Sequence, residues 1–254
     1  MRTSTEWPQG LSVLLITGAS KGLGLAMSRA WAGPGRTLAI AARDARRLGE
    51  VRDELASLGA QVLAVPGDVG ERGFPEFLVE ETRRRLGPVT HLVTCASSLG
   101  ALPLGPLADV DDRGWDEVWR TNVLGVVRIW RGVLPAMEGE LGGGRILHVS
   151  SDAAVEAYPH WGPYGATKAA VDHLARILAA ELDLHGHPNV RVYAVDPGDM
   201  DTEMHRAAIP DADPGELLRP EHVAPVLRDV LLRRPALPSG RYRAAEIALR
   251  GGAR

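Results

Sequence analysis

Residues 13–31 read VLLITGASKGLGLAMSRAW, and this run combines a strand, a turn and a helix. The first four residues form a short, β-branched, apolar segment of strand length. A glycine-rich turn follows, and a helix-like pattern begins at Leu25. Together they form the front of a nucleotide-binding βαβ unit, in which glycine permits close backbone approach to a pyrophosphate and free helix amides bind it. The residues expected to hold the nucleotide are Gly18, Ser20, Lys21, Gly22, Leu23 and Gly24.

The glycine spacing in this turn is G-x-x-x-G-x-G, which differs from the G-x-G-x-x-G of the standard dinucleotide fingerprint. A glycine-rich turn without a ligand is the plain alternative. We favour the nucleotide because a strand and a helix flank the turn in the order that the βαβ unit requires.

Short apolar segments alternate with helix-like segments along the rest of the chain. The expected strands lie at 12–17, 37–42, 61–65, 90–96, 145–150, 190–195 and near 243–248. The expected helices lie at 22–33, 44–58, 71–86, 112–136, 163–185 and near 221–233. Because the strands lack polar alternation, we expect a parallel sheet that is covered on both faces. The pattern predicts an α/β fold, a single Rossmann-like, doubly wound domain over residues 1–254 with helices on both faces of the sheet.

Composition and charge exclude several classes of protein. The chain has 254 residues, of which 45% are hydrophobic, and this suits one α/β domain of the larger sort. A net charge of -3 provides no basic field, so we expect no nucleic-acid partner. The one cysteine, Cys95, excludes an internal disulfide and favours a reducing, cytoplasmic location. We expect no signal peptide, no membrane span and no metal site, because the required patterns are missing.

Residues 150–168 carry side chains suited to proton transfer. Tyr164 and Lys168 stand four residues apart, so a helix places them on one face. The ordinary phenol pKa is about 10, and we expect the Lys168 ammonium to lower it so that Tyr164 donates a proton near neutral pH. Ser151 would hydrogen-bond the oxygen that receives this proton. Taken alone, Tyr-x-x-x-Lys is a weak pattern, and a half-buried tyrosine beside a solvated lysine is its plain alternative.

With these two stretches the chain resembles the short-chain dehydrogenase/reductase family, in its compact, non-extended branch, over roughly residues 11–235. The family carries T-G-x-x-x-G-x-G near the N-terminus, a serine thirteen positions before a tyrosine, and Y-x-x-x-K. These motifs stand here as Thr17 to Gly24, Ser151, and Tyr164 with Lys168. Further motifs match in order, namely Asp68-Val69, Asn122 within Thr121-Asn122-Val123, and Pro197-Gly198-Asp199-Met200-Asp201-Thr202.

The resemblance implies hydride transfer between a nicotinamide cofactor and a small or medium organic carbonyl or alcohol. Tyr164 would be the general acid, Ser151 would polarise the carbonyl, and Lys168 would hold the nicotinamide ribose. Asn122 would tie Lys168 to a water chain that resupplies protons. Further positions implied to line the cofactor are Asp68, Val69, Ala96, Pro197, Gly198, Met200 and Thr202. The family also implies a homodimer or homotetramer. Residues 199–220 form a long irregular stretch after a strand end, and they are expected to form a lid over the substrate, the alternative being an ordinary mobile loop.

One motif departs from the family pattern. The fourth strand leads into Thr94-Cys95-Ala96-Ser97, where the family has N-N-A-G. Ala96 keeps the small residue that lines the cofactor, whereas the residues that brace the sheet and leave room for the ribose are replaced. This change leaves open a catalytically silent nucleotide-binding regulatory or scaffold protein of the same fold. The four intact catalytic positions argue against that alternative, and an oxidative alcohol dehydrogenase is a third one.

Charge at the end of the second strand predicts the cofactor. A free ribose hydroxyl calls for an acid there, and a 2′-phosphate calls for a cation. The strand ends at Arg43, and Lys21 lies in the glycine-rich turn, positions that resemble the family's basic residues for NADP. Asp44 is expected to cap the next helix. We therefore favour NADP(H) over NAD(H), the alternative being that both cations are merely solvated.

The substrate pocket is expected to be mainly apolar with an aromatic wall. By family analogy the residues near the reacting centre are Ala153, Val155, Pro159, His160, Trp161, Met200 and Met204. Such a pocket fits a medium-sized ketone or aldehyde. His148, which lies just before Ser150 in a strand, is expected to be a core histidine rather than a base.

Overall fold

Seven strands form the central sheet of the computed structural model, which describes residues 12–233 and 235–251. The strands are β1 (Val13–Thr17), β2 (Thr37–Ala42), β3 (Gln61–Pro66), β4 (His91–Thr94), β5 (Gly144–Val149), β6 (Val190–Asp196) and β7 (Gly240–Arg243). They lie in the order β3-β2-β1-β4-β5-β6-β7, and every pairing is parallel. The doubly wound parallel sheet predicted from the alternating segments is therefore confirmed. The predicted domain ends, residues 1 and 254, lie outside the described residues.

Helices cover both faces of this sheet. They are α1 (Gly22–Trp31), α2 (Ala45–Ser57), α3 (Phe74–Leu86), α4 (Asp112–Trp119), α5 (Val126–Glu138), α6 (Gly162–Leu184), α7 (Glu203–Ala208), α8 (Pro220–Leu232) and α9 (Ala244–Gly251). One apolar cluster contains Met27 of α1 and Leu227 of α8, a second contains Leu78 of α3 and Ile129 of α5, and a third, smaller one surrounds Tyr164. Across the two described ranges, none of the helices combines the length and apolar character that a membrane crossing needs.

Two predicted elements differ from the structure. The helix predicted at 112–136 is interrupted, because a π-helical turn over Arg120–Gly125 separates α4 from α5. The strand predicted near 243–248 is wrong, since β7 ends at Arg243 and α9 begins at Ala244. The residues that follow Arg243 are rich in Ala, Glu and Leu, which favour a helix. The preceding strand forms because it pairs with β6, where Tyr193 stands opposite Gly240.

The carboxyl ends of β1 and β4 meet where the strand order reverses. The chain winds outward from β1 to β3, and β4 then returns to the other side of β1. Ligands of open α/β sheets bind at such a point. Gly18 follows β1 with a φ of 71°, in the left-handed region that favours glycine. The start of α1 packs on this turn because Gly24 has no Cβ, and an added Cβ would overlap the Gly18 carbonyl oxygen.

Replacing Gly24 by alanine is expected to lower the free energy of unfolding by about 1–3 kcal/mol, because the added methyl meets backbone that cannot move aside. Gly49→Ala is the matched control. Gly49 lies within α2, an added Cβ there meets nothing within 4 Å, and alanine should stabilise the helix by about 0.5–1 kcal/mol. Urea unfolding measures both values. A Gly24→Ala variant as stable as the wild type would contradict this description of the turn.

Candidate active site

A cavity of about 480 Å³ opens at the carboxyl edge of the sheet. Its walls come from the turns that follow β1 to β6, so residues far apart in the sequence meet there. The predicted site residues that line it are Gly18, Ser20, Lys21, Gly22, Leu23, Arg43, Asp68, Val69, Ala96, Ser151, Tyr164, Lys168, Pro197, Gly198, Met200 and Thr202. The volume falls within the range of small-molecule sites.

Two of the predicted residues do not line this cavity. Gly24 lies beneath the turn, where it packs on Gly18. Asn122 is buried in the π-helical turn. Its Nδ2 donates to the Ser98 carbonyl at 2.9 Å and to the Thr167 hydroxyl at 3.0 Å, and its Oδ1 accepts from the Ser98 backbone N–H at 2.8 Å. Asn122 therefore clamps the loop after β4 to α6.

The side-chain amide of Asn122 has all its hydrogen-bonding positions occupied. Its Oδ1 also accepts from the Ser97 hydroxyl at 3.2 Å, which completes two accepted and two donated bonds. The amide reaches Thr167, the sequence neighbour of Lys168, and the water chain expected at Asn122 stays a prediction. Irregular π-helical turns are frequent at functional sites, and here the turn aims the amide at two segments of the cavity wall.

Tyr164 and Lys168 lie side by side near the start of α6. The Lys168 ammonium donates to the Val149 carbonyl at 2.8 Å, and its Nζ is 5.4 Å from the centroid of the Tyr164 ring. Lys168 is only 3% exposed and Tyr164 only 8%. The helix approaches the turn after β5 closely because Gly165, which stands between the two residues in the sequence, has no side chain. An added Cβ at Gly165 would stand 2.9 Å from the Ala153 carbonyl oxygen.

Burial controls the protonation of both side chains. Loss of hydration lowers the pKa of Lys168 to about 8. Burial raises the pKa of Tyr164 above its ordinary value, and a hydrogen bond with Ser151 offsets only part of this rise. The predicted lowering of the Tyr164 pKa by Lys168 is therefore wrong, because desolvation of the phenolate outweighs the other contributions. The phenol keeps its proton near neutral pH, which a proton donor requires.

Ser151 begins a short 3₁₀ turn at the end of β5. Its hydroxyl accepts from the Ala153 backbone N–H at 3.2 Å and donates to Asp152 Oδ1 at 2.9 Å. Asp152 Oδ2 accepts from the Tyr158 hydroxyl at 2.8 Å. Burial alone would raise the pKa of Asp152, but the hydrogen bonds from Tyr158 and Ser151 bring it below its ordinary value. The Ser151 proton therefore faces a carboxylate in this structure.

The segment that departs from the family pattern, residues 94–97, is braced by other groups. The Thr17 hydroxyl accepts from the backbone N–H groups of Cys95 and Ala96, at 3.2 Å each. The Ser97 hydroxyl, which stands where the family has glycine, bonds Asn122. The sheet is therefore tied to this segment through a threonine of β1 instead of the family's asparagines.

His148 pairs with the first residue of that segment. Its Nδ1 is 3.0 Å from the Thr94 hydroxyl across β4 and β5. Burial holds the pKa of His148 well below its ordinary value, so the ring is neutral at pH 7. Its Nε2 has no hydrogen-bond partner among the described residues. Within the same residues, no three His, Cys, Asp or Glu side chains are placed to hold a metal ion.

An ionic network holds the Ser151 backbone in place from the side that faces away from the cavity. The sequence motifs did not reveal it. Arg241 of β7 donates to the Ser151 carbonyl at 2.9 Å and to Asp172 Oδ2 at 2.8 Å. The Ser150 hydroxyl donates to the same Asp172 oxygen at 2.8 Å. Arg241 also lies 3.6 Å from Asp196, whose other oxygen accepts from the turn that follows β6. The network joins β7, α6 and the ends of β5 and β6.

Cationic side chains from three segments line another part of the cavity. They are Lys21 of the glycine-rich turn, Arg43 after β2, and Arg47 in α2. Asp44 accepts from the Arg47 backbone N–H at 2.9 Å and caps α2, which confirms the predicted cap. Arg43 is exposed and lies 3.8 Å from Asp68. Arg47, which was not predicted, lies in the first turn of α2, and Arg43 precedes that helix.

Apolar side chains surround Tyr164. Of the seven predicted pocket residues, four line the cavity, namely Ala153, Trp161, Met200 and Met204. The other three do not line it, namely Val155, Pro159 and His160. The Trp161 ring packs edge-on against Tyr164 with the centroids 5.5 Å apart. Leu99, Tyr158 and Ile209 also line the cavity and were missed, because loop packing brings them there.

Comparison with known proteins identifies the class. The family model for short chain dehydrogenases matches residues 12–213, so the chain belongs to this family of oxidoreductases and the resemblance is confirmed. Glycine betaine reductase of Emericella nidulans is 32% identical over 197 residues, which are 78% of this chain and 15% of that protein. A short chain dehydrogenase of Pseudocercospora fijiensis is 34% identical over 192 residues, 75% of this chain and 60% of that protein. The chain thus spans less than two thirds of either relative.

Other relatives are covered more fully. Sepiapterin reductase of Rattus norvegicus is 31% identical over 209 residues, which are 78% of each protein. Among solved structures, an actinorhodin polyketide ketoreductase variant with NADPH is 28% identical with a TM-score of 0.82, over 92% of this chain and 96% of that one. An alcohol dehydrogenase of Thermococcus sibiricus, complexed with 5-hydroxy-NADP, is 29% identical with a TM-score of 0.80, over 91% and 95%.

Lys168→Met is expected to raise the free energy of unfolding at pH 7 by about 1–3 kcal/mol, because it removes a buried charge. The folded-state pKa of Lys168, about 8, lies below the value of about 10.4 for an unfolded lysine. Between these values the unfolded wild type binds a proton that the folded wild type does not, so wild-type stability rises with pH. The difference in the free energy of unfolding that favours the variant is therefore largest below pH 8, and it decreases as the pH approaches 10.5.

Urea unfolding of both proteins at pH 7, 8.5 and 10 measures this advantage. The matched control is Lys21→Met, the same change at the chain's other lysine, which is exposed. It should alter stability by no more than about 0.5 kcal/mol. A difference in unfolding free energy between Lys168→Met and the wild type that does not shift in favour of the wild type as the pH rises would show that burial does not depress the Lys168 pKa.

Proposed function

We propose that the protein is an NADP(H)-dependent oxidoreductase that transfers a hydride between the nicotinamide and a small or medium organic carbonyl or alcohol. The observation that carries the proposal is a shared cavity. The buried Tyr164–Lys168 pair and Ser151 line the same cavity as the glycine-rich turn and its neighbouring cations. A proton donor and a nucleotide-binding turn in one cavity are what a carbonyl reductase of this family needs.

The walls of the cavity fit a dinucleotide. Gly18 adopts a left-handed φ, and the turn it forms leads into the N-terminus of α1, where backbone N–H groups suit a diphosphate. Lys21, Arg43 and Arg47 offer charge to a 2′-phosphate, and Lys168 would hold the nicotinamide ribose. When bound, the nicotinamide supplies or accepts the hydride.

Tyr164 would hold and deliver the proton. Because burial raises its pKa, the phenol stays protonated near neutral pH and can donate to an oxygen that gains charge during reduction. Ser151 would hydrogen-bond the same oxygen once its hydroxyl turns from Asp152 toward the substrate. Lys168, whose pKa is about 8, is mostly charged at pH 7 and would stabilise the phenolate that remains.

The buried Asn122 and the partly buried Arg241 would keep these groups in place. Asn122 clamps the loop after β4 to α6 through Ser98 and Thr167. Arg241 fixes the Ser151 carbonyl from behind. Neither side chain lines the cavity, so we assign both of them positioning roles and not contact with the substrate.

Charge and known relatives favour NADP(H) over NAD(H). The end of β2 offers the cation Arg43, and the acid beside it, Asp44, is engaged in capping α2. The ketoreductase and the alcohol dehydrogenase of similar fold were solved with NADPH and with 5-hydroxy-NADP. Both facts support a cofactor that carries a 2′-phosphate.

The apolar wall around Tyr164 supports a ketone or aldehyde as substrate. Trp161 packs on the Tyr164 ring, and Met204 and Leu99 belong to the same apolar cluster. Two of the similar proteins are named as reductases, a sepiapterin reductase and a polyketide ketoreductase. Reduction is therefore the proposed direction. Measuring the preference between NADP and NAD and the direction of the equilibrium distinguishes this proposal from an oxidative alcohol dehydrogenase.

A catalytically silent protein of the same fold is the competing candidate, motivated by residues 94–97. The braces provided by Thr17, His148 and Asn122 reduce its support, because the altered segment is held in place. Assembly into a homodimer or homotetramer and a cytoplasmic location stay predictions. Trp119 at the end of α4 and Leu124 in the π-helical turn are 39% and 37% exposed, as a subunit interface there would require.

Tyr164→Phe is expected to reduce NADPH-dependent turnover of a carbonyl panel by at least about 100-fold, because the general acid is lost. NADPH binding should change by less than about threefold, since the ring and Lys168 remain. Tyr242→Phe is the matched control, because that hydroxyl bonds the Pro238 carbonyl and lies outside the cavity. Absorbance of the reduced nicotinamide and a binding titration give both values.

Two results would contradict the proposal. Preserved turnover in Tyr164→Phe would remove the phenol from the mechanism. Tight NADPH binding by the wild type, with no consumption across a broad panel of ketones, aldehydes and alcohols, would favour the silent nucleotide-binding protein.

A further inference from the structure

Glu203 links three segments at the cationic part of the cavity. Its carboxylate accepts from the Lys21 ammonium at 2.7 Å and from the Arg47 guanidinium at 2.8 Å. Lys21 belongs to the glycine-rich turn and Arg47 to α2, whereas Glu203 begins α7 in the predicted lid. Hydrogen bonds from both cations lower the pKa of Glu203 to about 2, so the carboxylate is charged at any physiological pH.

This carboxylate engages the donors that a 2′-phosphate would use. The third cation of the cavity, Arg43, lies 3.8 Å from Asp68, and Asp44 caps the helix that carries Arg47. Three cations are thus matched by three carboxylates around this part of the cavity. Of the three acids, Glu203 is the one that bonds two of the cations at once.

We propose that Glu203 is a specificity-determining residue that weakens the preference for NADP(H), because its carboxylate competes with a 2′-phosphate for Lys21 and Arg47. The inference rests on the proposed function, in which these cations bind that phosphate. A carboxylate and a phosphate that share two cations repel each other, so Glu203 must release its ion pairs or bear the repulsion. NAD(H) lacks the phosphate and leaves the ion pairs in place.

The expected effect is modest because the groups are partly hydrated. The three side chains are between 43% and 53% exposed, and ion pairs of this kind are weak and screened by salt. Glu203→Gln keeps the shape and removes the charge. We expect NADPH to bind about two- to tenfold more tightly to this variant at low salt, with a smaller gain at high salt. NADH binding should change by less than about twofold.

The experiment is a calorimetric titration of the wild type and Glu203→Gln with NADPH and with NADH. Adenosine 2′,5′-bisphosphate and AMP serve as shorter probes that differ by the 2′-phosphate alone. The expected result is a rise in the ratio of the NADH to the NADPH dissociation constant by about two- to tenfold, with a parallel rise for the shorter pair. The same titrations at high salt should show the rise reduced.

Two controls separate this effect from a change in the lid. Glu216→Gln removes a carboxylate that lies in the same stretch, is exposed, and forms no ion pair with any described residue. It should leave the ratio unchanged. In an Arg47→Met background, Glu203→Gln should raise the ratio less than it does in the wild type, because one of the contested cations is gone.

If Glu203→Gln bound NADPH and NADH more tightly by the same factor, the effect would arise from groups that the two cofactors share, and the proposal would be overturned. An unchanged ratio would overturn it as well. A wild type that binds NADH in preference to NADPH would instead overturn the proposed cofactor. In that case the change that Glu203→Gln causes in the ratio of the NADH to the NADPH dissociation constant would still test the role of Glu203. Failure of the proposed cofactor is therefore distinguishable from failure of the proposed role of Glu203.

Discussion

The hydrogen bond from the buried Lys168 ammonium to the Val149 carbonyl is the contact on which the candidate site depends. At 2.8 Å it fixes α6 against the end of β5, and it thereby sets where Tyr164 stands relative to Ser151. The burial that surrounds this contact lowers the Lys168 pKa to about 8 and keeps the phenol protonated. The burial of Lys168 and Tyr164 therefore lowers the stability of the fold and also gives both side chains a protonation state that suits proton donation. This combination is common where titratable groups are buried in a cleft.

Long-range contacts hold each part of the cavity in place. Arg241 of the last strand fixes the Ser151 carbonyl and neutralises Asp172, and Asn122 clamps the loop after β4 to α6. The Asn122–Thr167 contact is buried and the Arg241 contacts are partly buried, so the loss of one partner leaves an unsatisfied charge or dipole and is unfavourable. The contacts of Glu203 differ because they are half exposed, which makes them weak enough to exchange for a ligand. The degree of burial thus separates the contacts of Arg241 and Asn122, which hold the site rigid, from the contacts of Glu203, which a ligand can replace.

The sheet, its helices and the catalytic motifs could be predicted because periodicity and motif spacing are local properties of the sequence. The direction of the Tyr164 pKa shift could not, since it depends on burial that no pattern of residues displays. Asp172 stands four residues after Lys168 on α6, so helical periodicity contained a signal that was not used. Arg47 offered no such signal, because Arg43 precedes the start of α2. Arg241 and Glu203 offered no local signal, because their partners lie 69 and 182 residues away. The last strand was misplaced because its pairing with β6, rather than its own residues, makes it a strand.

The most direct test uses the fact that the chain contains two lysines, Lys21 and Lys168. Labelling with [¹³Cε]lysine gives two NMR resonances, and the spectrum of Lys168→Met assigns them. If burial controls the proton-donating pair, the Lys168 resonance titrates with a pKa of about 8. A Lys168 resonance that titrates near about 10.4, the ordinary value for a hydrated lysine, would contradict the claim that this ammonium is held in a desolvated site beside the phenol.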